Sequence, residues 1–260
     1  MADPAIHSSA IIAPGAEIGP DVRIGPFCVI GPQVRLGTGV ELKSHVVIGG
    51  DTSISEGTVI FPFASIGQDP QDLKFKGEHT RLEIGARNRI REYVTMNPGT
   101  EGGGGVTRIG DDGLFMANCH VAHDCQIGDR VVLVNSVAVA GHCVLEDDVI
   151  VGGLSGIHQF VRIGRGAMIG ALSMVTADVI PHGLVQGPRA HLDGLNLVGL
   201  KRRGASRAEI AELREVLARL HDGAFRDTAR ELSTMDRGEM VGEVLEFILG
   251  PSERSFLKPA

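Results

Sequence analysis

The stretch Ile109–Val151 reads IGDDGLFMANCHVAHDCQIGDRVVLVNSVAVAGHCVLEDDVIV. Counted in sixes from Ile109 it gives Phe115, Val121, Ile127, Leu133, Val139, Leu145 and Val151, and the count runs on through Ile157, Ile163 and Ile169 to Val175. Every position is apolar. The same step from Ile6 gives Ile12, Ile18, Ile24, Ile30, Leu36, Leu42, Ile48, Ile54, Ile60 and Ile66. Two residues before these anchors sit small or β-branched residues: Ala10, Ala16, Val22, Cys28, Val34, Val40, Val46 and Thr52. Such a period marks the hexapeptide repeat, whose units bury their apolar faces only by stacking. It predicts an all-β, left-handed parallel β-helix with three short strands per coil, the coils stacked roughly 4.8 Å apart. Anchors point inward, and the Gly that often follows them suits the tight corner.

Composition agrees with a narrow aliphatic prism. The 260 residues include 36 Gly, one Tyr and no Trp. All four cysteines (Cys28, Cys119, Cys125, Cys143) lie two residues before an anchor, so they read as inward fillers, neither a disulfide framework nor a zinc knuckle. The net charge of −7 argues against a nucleic-acid partner or an anionic membrane surface. The N-terminus lacks the basic and apolar regions of a secretory signal, and no run is long enough for an integral membrane segment. The expectation is a soluble, cytoplasmic protein.

Two segments interrupt the repeat, 68–81 (QDPQDLKFKGEHTR) and 97–108 (NPGTEGGGGVTR), and both read as surface loops. Asp72, Lys74 and Lys76 make the first the stronger functional candidate. The repeat fails near Pro181. The prism is therefore assigned to 1–185 and a linker with a C-terminal α-helical domain to 186–260. There Ser206 and Glu209 have capping-box spacing, and SRAEIAELREVLARL, DTARELSTM and GEMVGEVLEFIL read as helices.

Three coils in succession place Val121, Val139 and Ile157 on one face. His123 is two residues past the first anchor, His142 three past the second, and His158 one past the third. His120 precedes Val121 and is expected at the preceding corner. Four histidines thus stack on one edge, beside Gly141 and Gly152–Gly153. His123 followed by Asp124 suits a general base with a supporting carboxylate, and the Gly141 amide suits an oxyanion. No activated nucleophile is evident, so direct attack by an acceptor hydroxyl is simpler than a covalent acyl-enzyme.

The motifs IGPFCVIGP, LKSHVVI, QDLKF, RNRIRE, AHDC, AGH, HQF and GLKRRG occur in that order. Together they closely resemble the UDP-N-acetylglucosamine 3-O-acyltransferase family of lipid A biosynthesis, over nearly the whole chain. The resemblance implies a homotrimer with sites between subunits. It implies transfer of a (3R)-3-hydroxyacyl chain from acyl carrier protein to the glucosamine 3-hydroxyl. No cofactor or metal is implied, because the donor rides on the carrier's phosphopantetheine. His123 matches the family's base and Asp124 its support. His120, His142, His158 and Gln159 match other site positions. Gln71, Asp72 and Lys74 match the substrate-contacting loop, and Asn196, Arg202 and Arg203 match the groups that hold UDP. Met168 and Ala171 match the acyl-chain ruler. Ala171 stands where some relatives carry Gly, which predicts a shorter chain. Val198 and Asn97 also depart from the family's pattern. Arg162 and Arg165, one coil beyond the histidines, are candidates for docking the acidic carrier protein.

Four alternatives stand beside this reading on sequence alone. A sibling N-acyltransferase carries a domain before the prism, for which a repeat beginning at Ile6 leaves no room. A 3-amino acceptor sugar is not excluded. A zinc enzyme of the γ-carbonic anhydrase type uses histidines on a similar trimer, but spaces its neighbouring pair more widely and lacks the helical tail. A non-enzymatic scaffold leaves the histidines and the QDLK loop unexplained.

Overall fold

The computed structural model describes residues 3–258. Its first three strands, Ala5–Ile6, Ile11–Ile12 and Glu17–Ile18, begin three separate sheets. Each later coil adds one strand to each, giving sheets of 11, 9 and 8 strands. Val121 pairs with Val139 and Val139 with Ile157, so register advances by one whole coil without slip. The expected left-handed parallel β-helix is the fold of this chain.

Strand length follows from the repeat. Most strands are two residues long, one outward and one inward, and a short corner then turns the chain onto the next face. The inward anchors make one continuous core, with Ile30, Leu42, Ile60, Phe115, Leu133 and Leu145 among its buried side chains. The four cysteines are buried and unpaired. Burial raises the Cys119 thiol to about 11, away from the reactive thiolate.

The corners carry an unusual backbone. Among the described residues, many non-glycine corner positions have φ near +60°, including Phe27, His45, Arg87, Asp124, His142, Leu154 and Phe160. That conformation costs roughly 1–2 kcal/mol per residue for an L-amino acid. Only a frame that gains more from stacked strands and a buried core can hold so many.

Boundaries differ from the sequence expectation in several places. The two interruptions are shorter, because Arg81–Ile84 and Val106–Ile109 are four-residue strands of the third sheet. The first sheet continues past Pro181: Gly183–Gln186 pairs parallel with Met168–Ile169, and His191–Leu195 folds back antiparallel on it. The region taken as linker also holds a short helix, α1 (Leu197–Arg202).

Helices α2 (Arg207–Asp222), α3 (Phe225–Ser233) and α4 (Glu239–Leu249) are those expected, and Ser206 with Glu209 forms the full capping box. The helices join the prism core through Leu213, Val216, Leu232, Val244 and Ile248. Arg162 fastens α4 to the prism. Its Nε donates to Asp178 at 2.8 Å, Nη2 donates to the Phe247 carbonyl at 3.1 Å, and the guanidinium lies 4.3 Å from the Phe247 ring centre. Among the described residues, no helix is long and apolar enough to cross a membrane.

Leu133 is wholly buried in the centre of the prism. Leu133→Ala is expected to destabilise the fold by about 2–5 kcal/mol through lost contacts and a residual cavity. A clear drop in thermal unfolding midpoint, with the far-ultraviolet spectrum of the folded state unchanged, is the outcome to look for.

Candidate active site

The site lies on the edge between the second and third sheets. The corner Ala122–Cys125 links strand His120–Val121 to Gln126–Ile127. Asp124, His142 and Phe160 occupy the left-handed position of three successive coils, with φ of 60°, 62° and 64°. Their side chains therefore stack. The His142 and Phe160 rings are parallel within 2° at 4.4 Å, and the His123 ring meets His142 edge-on at 4.9 Å.

Asp124 is the centre of the arrangement. Its side chain is wholly buried, where an ionised carboxylate is costly unless donors surround it. Oδ1 accepts from the Thr100 amide at 2.8 Å, and Oδ2 accepts from Thr100 Oγ1 at 2.6 Å and from His123 Nδ1 at 2.8 Å. Its own amide donates to Thr107 Oγ1 at 2.8 Å. Because the carboxylate only accepts, Nδ1 of His123 must carry the proton, which leaves the Nε2 lone pair as the ring's basic site. Burial lowers the pKa of His142, against an opposing pull from Asp124, and burial also lowers that of His120. Burial thus favours the neutral form of both rings.

Gly141 belongs here for a steric reason. A Cβ on it would lie 2.5 Å from Cε1 and 2.6 Å from Nε2 of His123, so only glycine lets that ring lie across the corner. Its amide donates to no carbonyl of the neighbouring coils, whereas Ala140 and His142 on either side both do.

Both insertions spring from this same edge, one and two coils before Asp124. They fold over it and enclose a cavity of about 620 Å³. Asp72, Lys74 and Phe75 come from the first loop and Thr100 from the second, facing Asp124, His142 and Phe160. Glu253 reaches in from the C-terminal tail. Gly103 packs against the carboxyl of Asp124, and a Cβ there would overlap it. The glycine run is thus the cover of a buried charge. With Asp72, Glu78, Glu101, Asp124 and Glu253 against Lys74, the wall is strongly acidic.

The other sequence candidates fall elsewhere. His120 is a correction: it lies within a strand, not at the preceding corner, and its Nδ1 bonds Thr95 Oγ1 at 2.8 Å. Gln71 is exposed on the first loop and does not line the cavity. His158 and Gln159 are exposed one coil on, and Phe160 takes the place expected of His158 in the stack. Asn196 is buried, caps α1 by accepting from the Gly199 amide at 2.9 Å, and donates to the Gly166 carbonyl at 3.0 Å. Arg202 is exposed, and Arg203 donates to His182 Nδ1 at 3.1 Å. Met168 and Ala171 flank the edge between the first and second sheets, away from the histidines. Arg162 is not a free docking cation, since Asp178 and α4 consume it, and Arg165 lies between Asp147 and Glu243. Sequence reading missed Phe160, Thr100 and Glu253. Of these, Phe160 was accessible, because stepping one coil from Asp124 reaches His142 and a second step reaches Phe160.

His123, Asp124 and His142 also place one nitrogen or oxygen each within 4.8 Å of one another, a spacing a metal ion could use. Asp124 already accepts three hydrogen bonds, so it would have to surrender some of them to become a ligand.

A β-helix of hexapeptide repeats with a buried His–Asp pair at its edge and a helical C-terminal domain defines an acyltransferase of the hexapeptide class. Residues 1–32 match the bacterial transferase hexapeptide model, and residues 178–257 match the second domain of UDP-N-acetylglucosamine O-acyltransferases. The chain is 81% identical over 201 residues to the acyl-[acyl-carrier-protein]–UDP-N-acetylglucosamine O-acyltransferase of Paracoccus denitrificans, 77% of each chain. It is 46% identical to that of Rhizobium johnstonii, over 98% of this chain and 94% of the relative. A solved UDP-N-acetylglucosamine acyltransferase superposes with a TM-score of 0.95 at 44% identity, over 98% and 99% of the two chains. The chain belongs to the acyl-[acyl-carrier-protein]–UDP-N-acetylglucosamine O-acyltransferase family.

Thr100 supplies two of the three donors to Asp124. Thr100→Val removes one, a hydrogen bond to a charged group worth about 1.5–3 kcal/mol. The expected result is a fall in kcat of roughly ten- to a hundred-fold with KM little changed, and recovery in Thr100→Ser, measured by steady-state acyl transfer.

Proposed function

We propose that the chain transfers a (3R)-3-hydroxyacyl group from the phosphopantetheine thioester of acyl carrier protein to the 3-hydroxyl of UDP-N-acetylglucosamine, the first step of lipid A biosynthesis, in the cytoplasm. The observation that carries this reading is the buried His123–Asp124 pair, which holds Nδ1 protonated and leaves Nε2 as the ring's basic site, while Asp124 and the neighbouring His142 line a polar cavity.

The sugar oxygen attacks the thioester carbonyl while His123 Nε2 takes its proton. Asp124 supports the imidazolium that forms, and the Gly141 amide donates to the carbonyl oxygen as it becomes anionic. When the intermediate collapses, the C–S bond breaks and the thiolate takes the proton from His123. An ester and a free thiol result, and no covalent enzyme intermediate is needed. The four buried cysteines agree with that economy.

Asp72, Lys74 and His142 line the cavity and suit the hydroxyls and amide of the sugar. Gln71, His120, His158 and Gln159 lie outside that lining, and the family resemblance is what assigns them to the substrate. An acidic wall with a single lysine is a poor seat for a diphosphate. The diphosphate belongs with Arg202 and Arg203, whose helix Asn196 caps. Those arginines, like Met168 and Ala171, lie off the histidine edge of their own chain. A homotrimer that sets one chain's histidine edge against its neighbour brings both halves to one groove, and this separation supports the trimer. Ala171 is exposed at its corner, directly over Gly152, so its methyl narrows whatever slot passes there.

His123→Ala should lower kcat by about 10²–10⁴-fold while light scattering still reports the trimer. Near-normal turnover would remove His123 as the base, and stoichiometric zinc bound by the histidines would replace the whole reading with metal chemistry. For donor length, Ala171→Gly should shift preference toward longer acyl carrier proteins, by about 1–3 kcal/mol per discriminated step. A wild-type preference for the longest donor in a graded series would contradict the assignment of Ala171.

A further inference from the structure

The last described residues turn back into the site from the far end of the molecule. After α4, the segment Ser252–Leu257 runs beside Asp178 at the end of the prism. The Asp178 amide donates to the Ser255 carbonyl at 2.7 Å, and the Leu257 amide donates to the Asp178 carbonyl at 2.8 Å. Asp178 is wholly buried, and its Oδ2 accepts from Ser252 Oγ at 2.7 Å and from Arg162 Nε at 2.8 Å. Phe256 packs on Phe225, with ring centres 5.3 Å apart. The tail is therefore anchored on both sides of residues 253 and 254.

Glu253 then lines the cavity, and Arg254 reaches the next coil. Its Nη2 donates to His158 Nδ1 at 2.7 Å and its Nε donates to the Gln159 carbonyl at 2.9 Å. A guanidinium has donors only, so Nδ1 of His158 must present its lone pair. The approach of that same Nδ1 to the Gln159 carbonyl at 3.4 Å is then not a hydrogen bond. The ring is left in one tautomer, with Nε2–H as its free polar group.

We propose that Arg254 is a positioning residue for the acyl transfer. It holds His158 as a neutral Nε2–H donor toward an oxygen of the substrate, and so links the helical domain to the site. The inference rests on the reading that His158 faces substrate. The two are separated by a double-mutant cycle in the full-length chain, using His158→Ala, Arg254→Gln and the pair together. His158→Ala and Arg254→Gln should each lower kcat/KM by about ten-fold, and the pair should be no worse than His158→Ala alone. Arg254→Lys keeps the charge without the two-pronged geometry and should fall between wild type and Arg254→Gln.

Nitrogen-15 spectra of the wild-type protein supply a readout that a purely structural role would not move. His158 should show an unprotonated Nδ1 and a protonated Nε2, with the two forms mixing in Arg254→Gln. A protonated Nδ1 in the wild type overturns the proposal even if every tail variant unfolds. Losses that multiply in the double mutant overturn it too, as does full activity of Arg254→Gln beside an impaired His158→Ala. Full activity of His158→Ala removes the reading of His158 itself, and this proposal with it.

Discussion

The structure depends on one constraint: each residue of the prism lies against its counterpart one coil later, in the same orientation. Parallel pairing without slip enforces this along all three faces of the prism, up to the antiparallel return of His191–Leu195. The left-handed corner backbone is part of the same constraint, since it is what turns the chain from one face to the next. Side chains at corresponding corners must consequently form columns, whatever their chemistry. One edge carries Phe27, His45, Phe63 and Tyr93, with successive ring centres 4.9, 5.0 and 5.2 Å apart. Another alternates charge through Arg87, Asp112, Arg130 and Asp148. Gly166 leaves the next rung of that column empty of side chain, and the guanidinium of Arg203 occupies it. The third edge carries Asp124, His142 and Phe160, the column on which the site is built.

A column brings groups together but does not make a buried carboxylate tolerable. That task falls to the insertions, which supply what the repeat cannot. Thr100 brings two donors to Asp124, and the glycines beside it remove the side chains that would collide with the carboxyl. The corner position itself contributes, because Asp adopts a left-handed conformation more readily than most residues. His142 shares some of that tolerance, since His too is enriched in the left-handed region. Its strained backbone is held by the stack on Phe160 and by its amide, which donates to the His123 carbonyl at 3.0 Å.

The prism was legible because its period is short and each anchor must be apolar. Ile6 to Ile66 and Ile109 to Val175 state the fold without reference to anything distant in the chain. The inward cysteines and the Ser206 capping box were legible for the same local reason. The His123–Asp124 pair could be read because its partners are adjacent in sequence and the column shares one spacing. What escaped reading is what long-range contact decides. Nothing in the period shows that Arg162 is consumed by Asp178 and α4, or that Arg254 returns to His158. The strand Gly183–Gln186 was hidden because Pro181 and the lost six-residue spacing mask a rung whose pairing with Met168–Ile169 survives.

The helical end of the molecule has a consequence for how this architecture can change over time. Because every coil is interchangeable in its pairing, whole coils can be gained or lost near the N-terminus without disturbing the groups at Asp124, His142 and Phe160. Between His158 and Asp178 the same change is forbidden. One extra rung there would carry the tail roughly 4.8 Å from the edge it touches. The prism is therefore elastic in length on one side of its reactive column and fixed in length on the other.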